Sequence, residues 1–277
     1  MAMDNKYFLD DPFRELWPEK PEKYPYDLNT HPTARCAMAL SAWNRRDEEE
    51  FQEHTRWVLD NMNRWTGGLE ARFDWDVPGY KAKAPWISCM TQGMMLSVLA
   101  RAGEKEAMEK AVWPFTEDIH RGGLIQVEGM GMSQYQGVPS KGMTDILNES
   151  LFAVIGLYEA SKTQVGLLSA YLAMAKGQMN AAYALTQSKF DLKLPFFRWS
   201  KYDDGLYWYS GAKYHRVMVK QLEWLSERTG SPICGEWAEK WREWDEKYSG
   251  SRAEWFWLKV WRVYGMWLKW KHKRGWV

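Results

Sequence analysis

Two stretches of this chain, residues 147–160 and 165–186, are apolar on most sides when wound at the helical period. A helix without a polar face has to be enclosed by other elements. That requirement limits the possible folds more than any other feature. A third stretch, Ser88–Arg101, is rich in small and apolar residues and stops at Gly103. The surrounding segments supply the enclosure. Helical pattern begins at Pro32, a residue suited to a first turn, with Ala37, Leu40, Ala42 and Trp43 on one face. A second helix follows over 48–63, where Phe51, Trp57, Val58 and Met62 recur at helical spacing before Gly67-Gly68. Residues 104–115 form an antiparallel partner for 88–101, and two more helices are predicted near 214–229 and 232–248.

The connections are long. Residues 69–85 alternate and are broken by Pro78-Gly79, which predicts a hairpin or extended loop. Six glycines between 119 and 147, from Gly122 to Gly142, predict short strands and turns. Helix pairs joined by such loops imply a mainly α fold, an incomplete (α/α) toroid or barrel of helix hairpins with short strands in the connecting loops; an irregular helical bundle is the alternative. Three regions follow: an irregular Pro-rich arm over 1–31, the helical body over 32–250, and a distinct tail over 251–277.

Composition mainly excludes. A net charge of +1 gives no reason to expect nucleic acid. Neither GxGxxG nor GxxxxGK[ST] occurs, so a phosphate cradle is unsupported. The three cysteines, Cys36, Cys89 and Cys234, are widely spaced and form neither a disulfide framework nor a zinc pattern, in keeping with a reducing compartment. No signal peptide and no membrane-spanning run is evident, which leaves a cytoplasmic location as the default expectation. Nineteen tryptophans in a chain that is 16% aromatic suit a helical core, and equally a surface on which flat rings stack against sugars.

Proton-transfer chemistry concentrates in Arg198–Arg216, RWSKYDDGLYWYSGAKYHR. It reads as a loop feeding a helix, with Tyr202, Tyr207, Tyr209 and Tyr214 beside Asp203, Asp204 and His215. The tail is different. It holds six Trp, and seven Lys and Arg against one Glu, with Arg252, Lys259, Arg262, Lys269 and Lys273 on one stripe. Such a helix either lies in a membrane surface or grips a partner, or packs on the body while its cations snorkel to water. Packing is the expectation here.

Three ordered motifs resemble the D-glucuronyl C5-epimerase family. PWISCMTQGMMLSVLARA (85–102) is similar to its P-W-x-S-A-M-x-Q-G-x-x-x-S-x-L-x-R-A, and ILNESLFAVIGLYEA (146–160) to its V-L-N-G-F-x-x-S-L-x-G-L-Y-D. WSKYD and YHRVMVKQLEWL resemble its W-S-x-Y-D and Y-H-x-x-H-I-x-Q-L-x-x-L, and GEWAEKWREW follows as the family's last helix does. The similarity runs from about Asn29 to Gly250. It implies an (α/α) toroid acting on a uronic-acid polysaccharide without metal or cofactor. Inverting C5 of a uronate takes an acid/base group on each face of the ring and a donor set for the carboxylate. The resemblance puts Tyr202 and Tyr214 in the first role. It offers Arg101, Arg198 and Arg216 as clamps, with Trp86, Gln92, Tyr135, Asn148 and His215 lining the cleft.

The chain departs from the family at one wall. Where the family has Y-E-E-Y-P, residues 135–139 read Tyr135-Gln136-Gly137-Val138-Pro139, so a catalytic Glu and Tyr are replaced by Gly137 and Val138. The arginine after the Y-D motif is Gly205, and the second His of Y-H-x-x-H is Met218. Glu149, in place of a family glycine, or Glu128 is the candidate replacement carboxylate. Three readings follow: an epimerase-like enzyme, a glycan-binding module of the same fold, or a uronide lyase that expels the C4 substituent from the same carbanion. A homodimer is a further expectation.

Overall fold

The computed structural model describes residues 6–19, 27–77, 80–127, 133–135, 146–163, 168–201 and 210–274. The fold is mainly α. Four helix pairs carry the body: α2 (Pro32–Arg45) with α3 (Glu48–Asn61), α4 (Cys89–Ala102) with α5 (Lys105–Val112), α6 (Leu147–Thr163) with α7 (Leu168–Thr186), and α8 (Gly211–Thr229) with α9 (Pro232–Tyr248). A short α1 (Pro12–Leu16) precedes them and α10 (Arg252–Lys273) follows. Local chemistry sets the boundaries. Ser88 Oγ accepts from Thr91 N to start α4, and Gly103 at φ 75° ends it. Ser231 and Pro232 do the same for the start of α9.

The first helix of each pair lies beside the first helix of the next, so α2, α4, α6 and α8 form an arc. They run parallel. Gly93 of α4 abuts Phe152 and Ala153 of α6, and further along Arg101 meets Glu159. Gln221 of α8 donates to the Asn148 carbonyl of α6, and Tyr158 meets Trp224 and the Arg228 carbonyl. Thr33 and Thr91 hydroxyls join the first turns of α2 and α4 at 2.6 Å. The α4–α6 approach is the closest in the fold's centre. A Cβ on Gly156 would stand 2.0 Å from the Gly93 oxygen, so two glycines are required there.

The arc is an incomplete ring, and the N-terminal arm bridges its ends. Asn44 and Ser41 of α2 bond Leu9 and Asp11, while Lys213 and Lys220 of α8 bond the Leu16 carbonyl and Glu15. Tyr7, Leu9, Leu16 and Trp17 are buried in the main core. The arm was expected to lie irregularly over the body; the described part instead carries α1 and a share of the core.

Three antiparallel hairpins occupy the connections: β1 (Trp75–Val77) with β2 (Tyr80–Ala82), β3 (Ile125–Val127) with β4 (Ser133–Tyr135), and β5 (Asp191–Leu194) with β6 (Phe197–Ser200). The first two fall where strands were expected. The third corrects the reading of Arg198–Ser200 as loop: these residues pair with Asp191–Lys193. Helix α10 lays only one row, Glu254, Trp257, Trp261 and Leu268, inward; Trp257 and Trp261 pack on Leu192, Phe197 and Trp199.

Candidate functional site

Because α4, α6 and α8 run parallel, their starts share one end of the arc. The segments that lead into α6 and α8 are those singled out above for chemistry. Tyr202, Glu128, Gly137 and Val138 lie outside the described residues, and Tyr135 is described only as backbone in β4. Glu149 sits in the first turn of α6, and Tyr214 in the first turn of α8.

Glu149 is buried, and its Oε2 has no hydrogen-bond partner among the described residues. Burial pushes its carboxyl up to about 7. The positive end of α6 opposes that, by about 2 kcal/mol at most, and desolvation wins. Asn148 Oδ1 and Gln221 Oε1 are also buried without a partner, and Gln221 Nε2 donates to the Asn148 carbonyl at 2.9 Å. Three acceptors on adjoining turns of α6 and α8 therefore lack donors. Buried polar groups are nearly always paired, and a surplus of acceptors suits a ligand that brings hydroxyls.

Tyr214 is half-buried, with the Lys213 ammonium 4.2 Å from its ring centroid. Lys213 donates to the Leu16 carbonyl at 2.8 Å, and burial lowers it to about 8. Sequence reasoning passed over Lys213 and Gln221. Lys213 lies inside the singled-out stretch, next to Tyr214, and Gln221 takes meaning only from its contact with Asn148.

Four expected ligand contacts become structural. Gln92 does not line a cleft: it is fully buried, accepts from Leu69 N and donates to the Gly67 and Ala111 carbonyls. Arg101 does not clamp a substrate carboxylate, because its guanidinium forms two bonds to Glu159, at 2.7 and 2.9 Å, and lies over the Tyr7 ring. Arg216 is exposed and bonded to Asp245 of α9 and to Ser249 just after it. His215 is buried and stacked on Trp199; Nε2 faces the Trp241 carbonyl and so carries the proton, leaving Nδ1 to accept from Ser200. Burial lowers it to about 4, which keeps it neutral.

Trp86 and Arg198 border separate clefts. Trp86 donates to the Phe73 carbonyl and lines a cleft of about 330 Å³ with Glu70 and Lys83. Arg198 donates to the Leu194 and Phe197 carbonyls and lines a cleft of about 410 Å³ with Glu243 and Lys247. Neither includes Glu149 or Tyr214.

Residues 63–243 match the family model of the D-glucuronyl C5-epimerase C-terminus. The chain belongs to that family. The match runs from before α4 to within α9, contains Glu149 and Tyr214, and supports a C5-epimerase-like function for the chain. The arm, α2, α3 and α10 fall outside the match. No curated protein matches the chain in sequence. Among the described residues of this epimerase-family chain, no group of three or more His, Cys, Asp or Glu is gathered as a metal site.

Proposed function

We propose that the chain inverts C5 of uronic-acid residues in a polysaccharide of heparosan or glucuronan type, with Glu149, Tyr214 and Tyr202 as the acid/base set. The carrying observation is Glu149. It is a buried carboxyl whose Oε2 has no hydrogen-bond partner among the described residues, poised near neutrality, on the inner helix next to the one whose first turn carries Tyr214. A carboxylate is what the replacement by Gly137 and Val138 removed from the family pattern. Glu149 is this chain's own supply of one.

The chemistry is a two-sided proton transfer. Glu149 as carboxylate takes the C5 proton, and the electron pair moves into the uronate carboxyl as an enediolate-like anion. A tyrosine phenol returns a proton to the opposite face, and the two groups exchange roles for the reverse direction. Phenols serve in this way only with a cation or donors close by; Lys213 lies against the ring of Tyr214. The unpartnered Asn148 and Gln221 oxygens accept sugar hydroxyls in this scheme. Trp86, Tyr135 and Arg198 remain candidates for contacts further along the polymer.

The test is solvent exchange. Heparosan and glucuronan oligosaccharides incubated with the protein in D2O gain deuterium at C5, and Glu149→Gln and Tyr214→Phe each slow that gain by about a hundredfold or more. Exchange by the parent protein rises through about pH 7 as Glu149 ionises. Oligosaccharide binding with no exchange on either polymer would overturn the proposal in favour of a glycan-binding module. An ultraviolet-absorbing unsaturated product would assign a lyase, in which the same anion loses its C4 substituent.

A further inference from the structure

Helix α10 presents three rows, each repeating every three or four residues. The inward row, Glu254, Trp257, Trp261 and Leu268, rests on the β5–β6 hairpin side of the body. A second row, Phe256, Val260, Val263, Trp267 and Trp270, faces solvent, with exposures from 37 to 62%. Beside it runs a third row of exposed Lys259, Arg262, Lys269 and Lys273, joined by exposed Met266. The helix has one carboxylate, Glu254. It is buried on the inward row, where its carboxylate accepts from Gly250 N and its backbone N–H donates to Ser251 Oγ. The outward side is therefore purely cationic and apolar.

We infer that the outward side of α10 docks on an anionic lipid surface. The helix lies flat, with the Phe256–Trp270 row in the acyl boundary and the Lys259–Lys273 row against the headgroups. Charge complementarity selects this occupant. Four cations without a carboxylate beside them repel a second copy of the same helix, and they match a surface whose charge is uniformly negative. Aliphatic Val260, Val263 and Met266 interleave with the aromatics, which suits acyl chains better than sugar faces. The Lys259 ammonium lies 3.7 Å from the Trp255 ring centroid and that of Lys271 lies 4.0 Å from Trp267, so cation and ring are presented together at interface depth. Among the described residues no helix is long and apolar enough to cross a membrane, so α10 rests on the bilayer and does not span it. The inference is independent of the epimerase reading.

The full chain is mixed with unilamellar vesicles of phosphatidylcholine alone and of phosphatidylcholine with 30 mol% phosphatidylglycerol, ~0.1 M salt, and floated on a gradient. The chain is expected to float with the anionic vesicles only, with Trp fluorescence shifting to the blue. Replacing Lys259, Arg262, Lys269 and Lys273 together by Gln weakens partitioning by more than about a hundredfold, since each surface cation contributes about 1 kcal/mol. These positions are exposed, and unchanged circular dichroism and thermal melting establish that the variant folds. Absence of flotation with anionic vesicles overturns the inference. So does flotation that the four-Gln variant retains, or concentration-dependent dimerisation in sedimentation without vesicle binding. If heparosan oligosaccharide binding, with no vesicle binding, is lost in the four-Gln variant, the surface belongs to the glycan instead.

Discussion

Helices α6 and α10 are both rich in apolar residues, yet α6 buries 12 of its 17 residues and α10 buries 2 of its 22. The difference lies in the size and arrangement of the side chains. Gly156 and Ala153, facing Gly93, let α4 approach α6 so closely that backbone meets backbone. The single glycine of α10, Gly265, has nothing within 4 Å of where a Cβ would stand. Apolar content therefore does not decide which helix is central. Small residues at helical spacing admit a neighbour on every side, whereas a ring of Trp and Phe keeps neighbours off.

The contrast breaks first at the glycines. Gly156→Leu forces α4 and α6 apart and should destabilise the fold by about 5 kcal/mol or more, read as loss of the cooperative urea transition. An unchanged transition would show that the close approach is not needed. The ion pair at the far end of the same crossing comes next. Arg101→Met leaves Glu159 charged and buried, at a cost of about 3–5 kcal/mol, and Arg101→Met with Glu159→Met recovers most of it. No recovery in the double variant would place the cost in packing over Tyr7 instead of charge.

Acid sharpens the comparison further, because three buried titrating groups, His31, Glu149 and His215, lie at the inner helices. His31 and His215 are both lowered to about 4 by burial. Their contribution is present above about pH 6.5 and is lost as pH falls towards 4, by about 3 kcal/mol each. Glu149, raised to about 7, acts in the opposite sense: its buried charge destabilises above neutral pH, and that penalty disappears below about 4.5, worth about 3 kcal/mol. From these three groups the expected change is a loss of about 3 kcal/mol between pH 7 and pH 4, and Glu149→Gln should stabilise at pH 8 with little effect at pH 4. Urea titrations across pH measure both. The smallest effect belongs to α10. Gly265→Ala should raise stability by about 1 kcal/mol or less through helix propensity, and a loss would mean that α10 packs more tightly than its exposure indicates.

Much of the architecture was legible in the sequence. Helix α9 begins at Pro232 and ends at Tyr248 as its Ser-Pro start and Gly250 stop imply, and the helix pairs fall in the expected order. The β5–β6 hairpin was not legible. Pro195 interrupts the run, and the turn places Phe196 at φ 60°, a left-handed conformation that a bulky side chain seldom takes. The tail was expected to pack, and only one row of it does.

The candidate site was legible as residue types and not as roles. Gln92, Arg101 and His215 match motif letters and Arg216 follows one, but a letter does not say what a side chain touches. Each is bonded to groups that arrive from elsewhere in the chain: Ala111, Glu159, Trp241 and Asp245.

By itself the sequence determined the helical periodicity, the membership of an epimerase family, and the chemistry gathered around Tyr214. These depend on local spacing and composition, which a linear string records. Only the tertiary structure decided which polar groups are satisfied. Arg101 and Glu159 are 58 residues apart and join through two hydrogen bonds; Glu149, Asn148 and Gln221 are brought together across 73 residues and keep acceptors unmet among the described residues. Desolvation and hydrogen bonding depend on what surrounds an atom, and those surroundings exist only once α4, α6 and α8 have packed side by side.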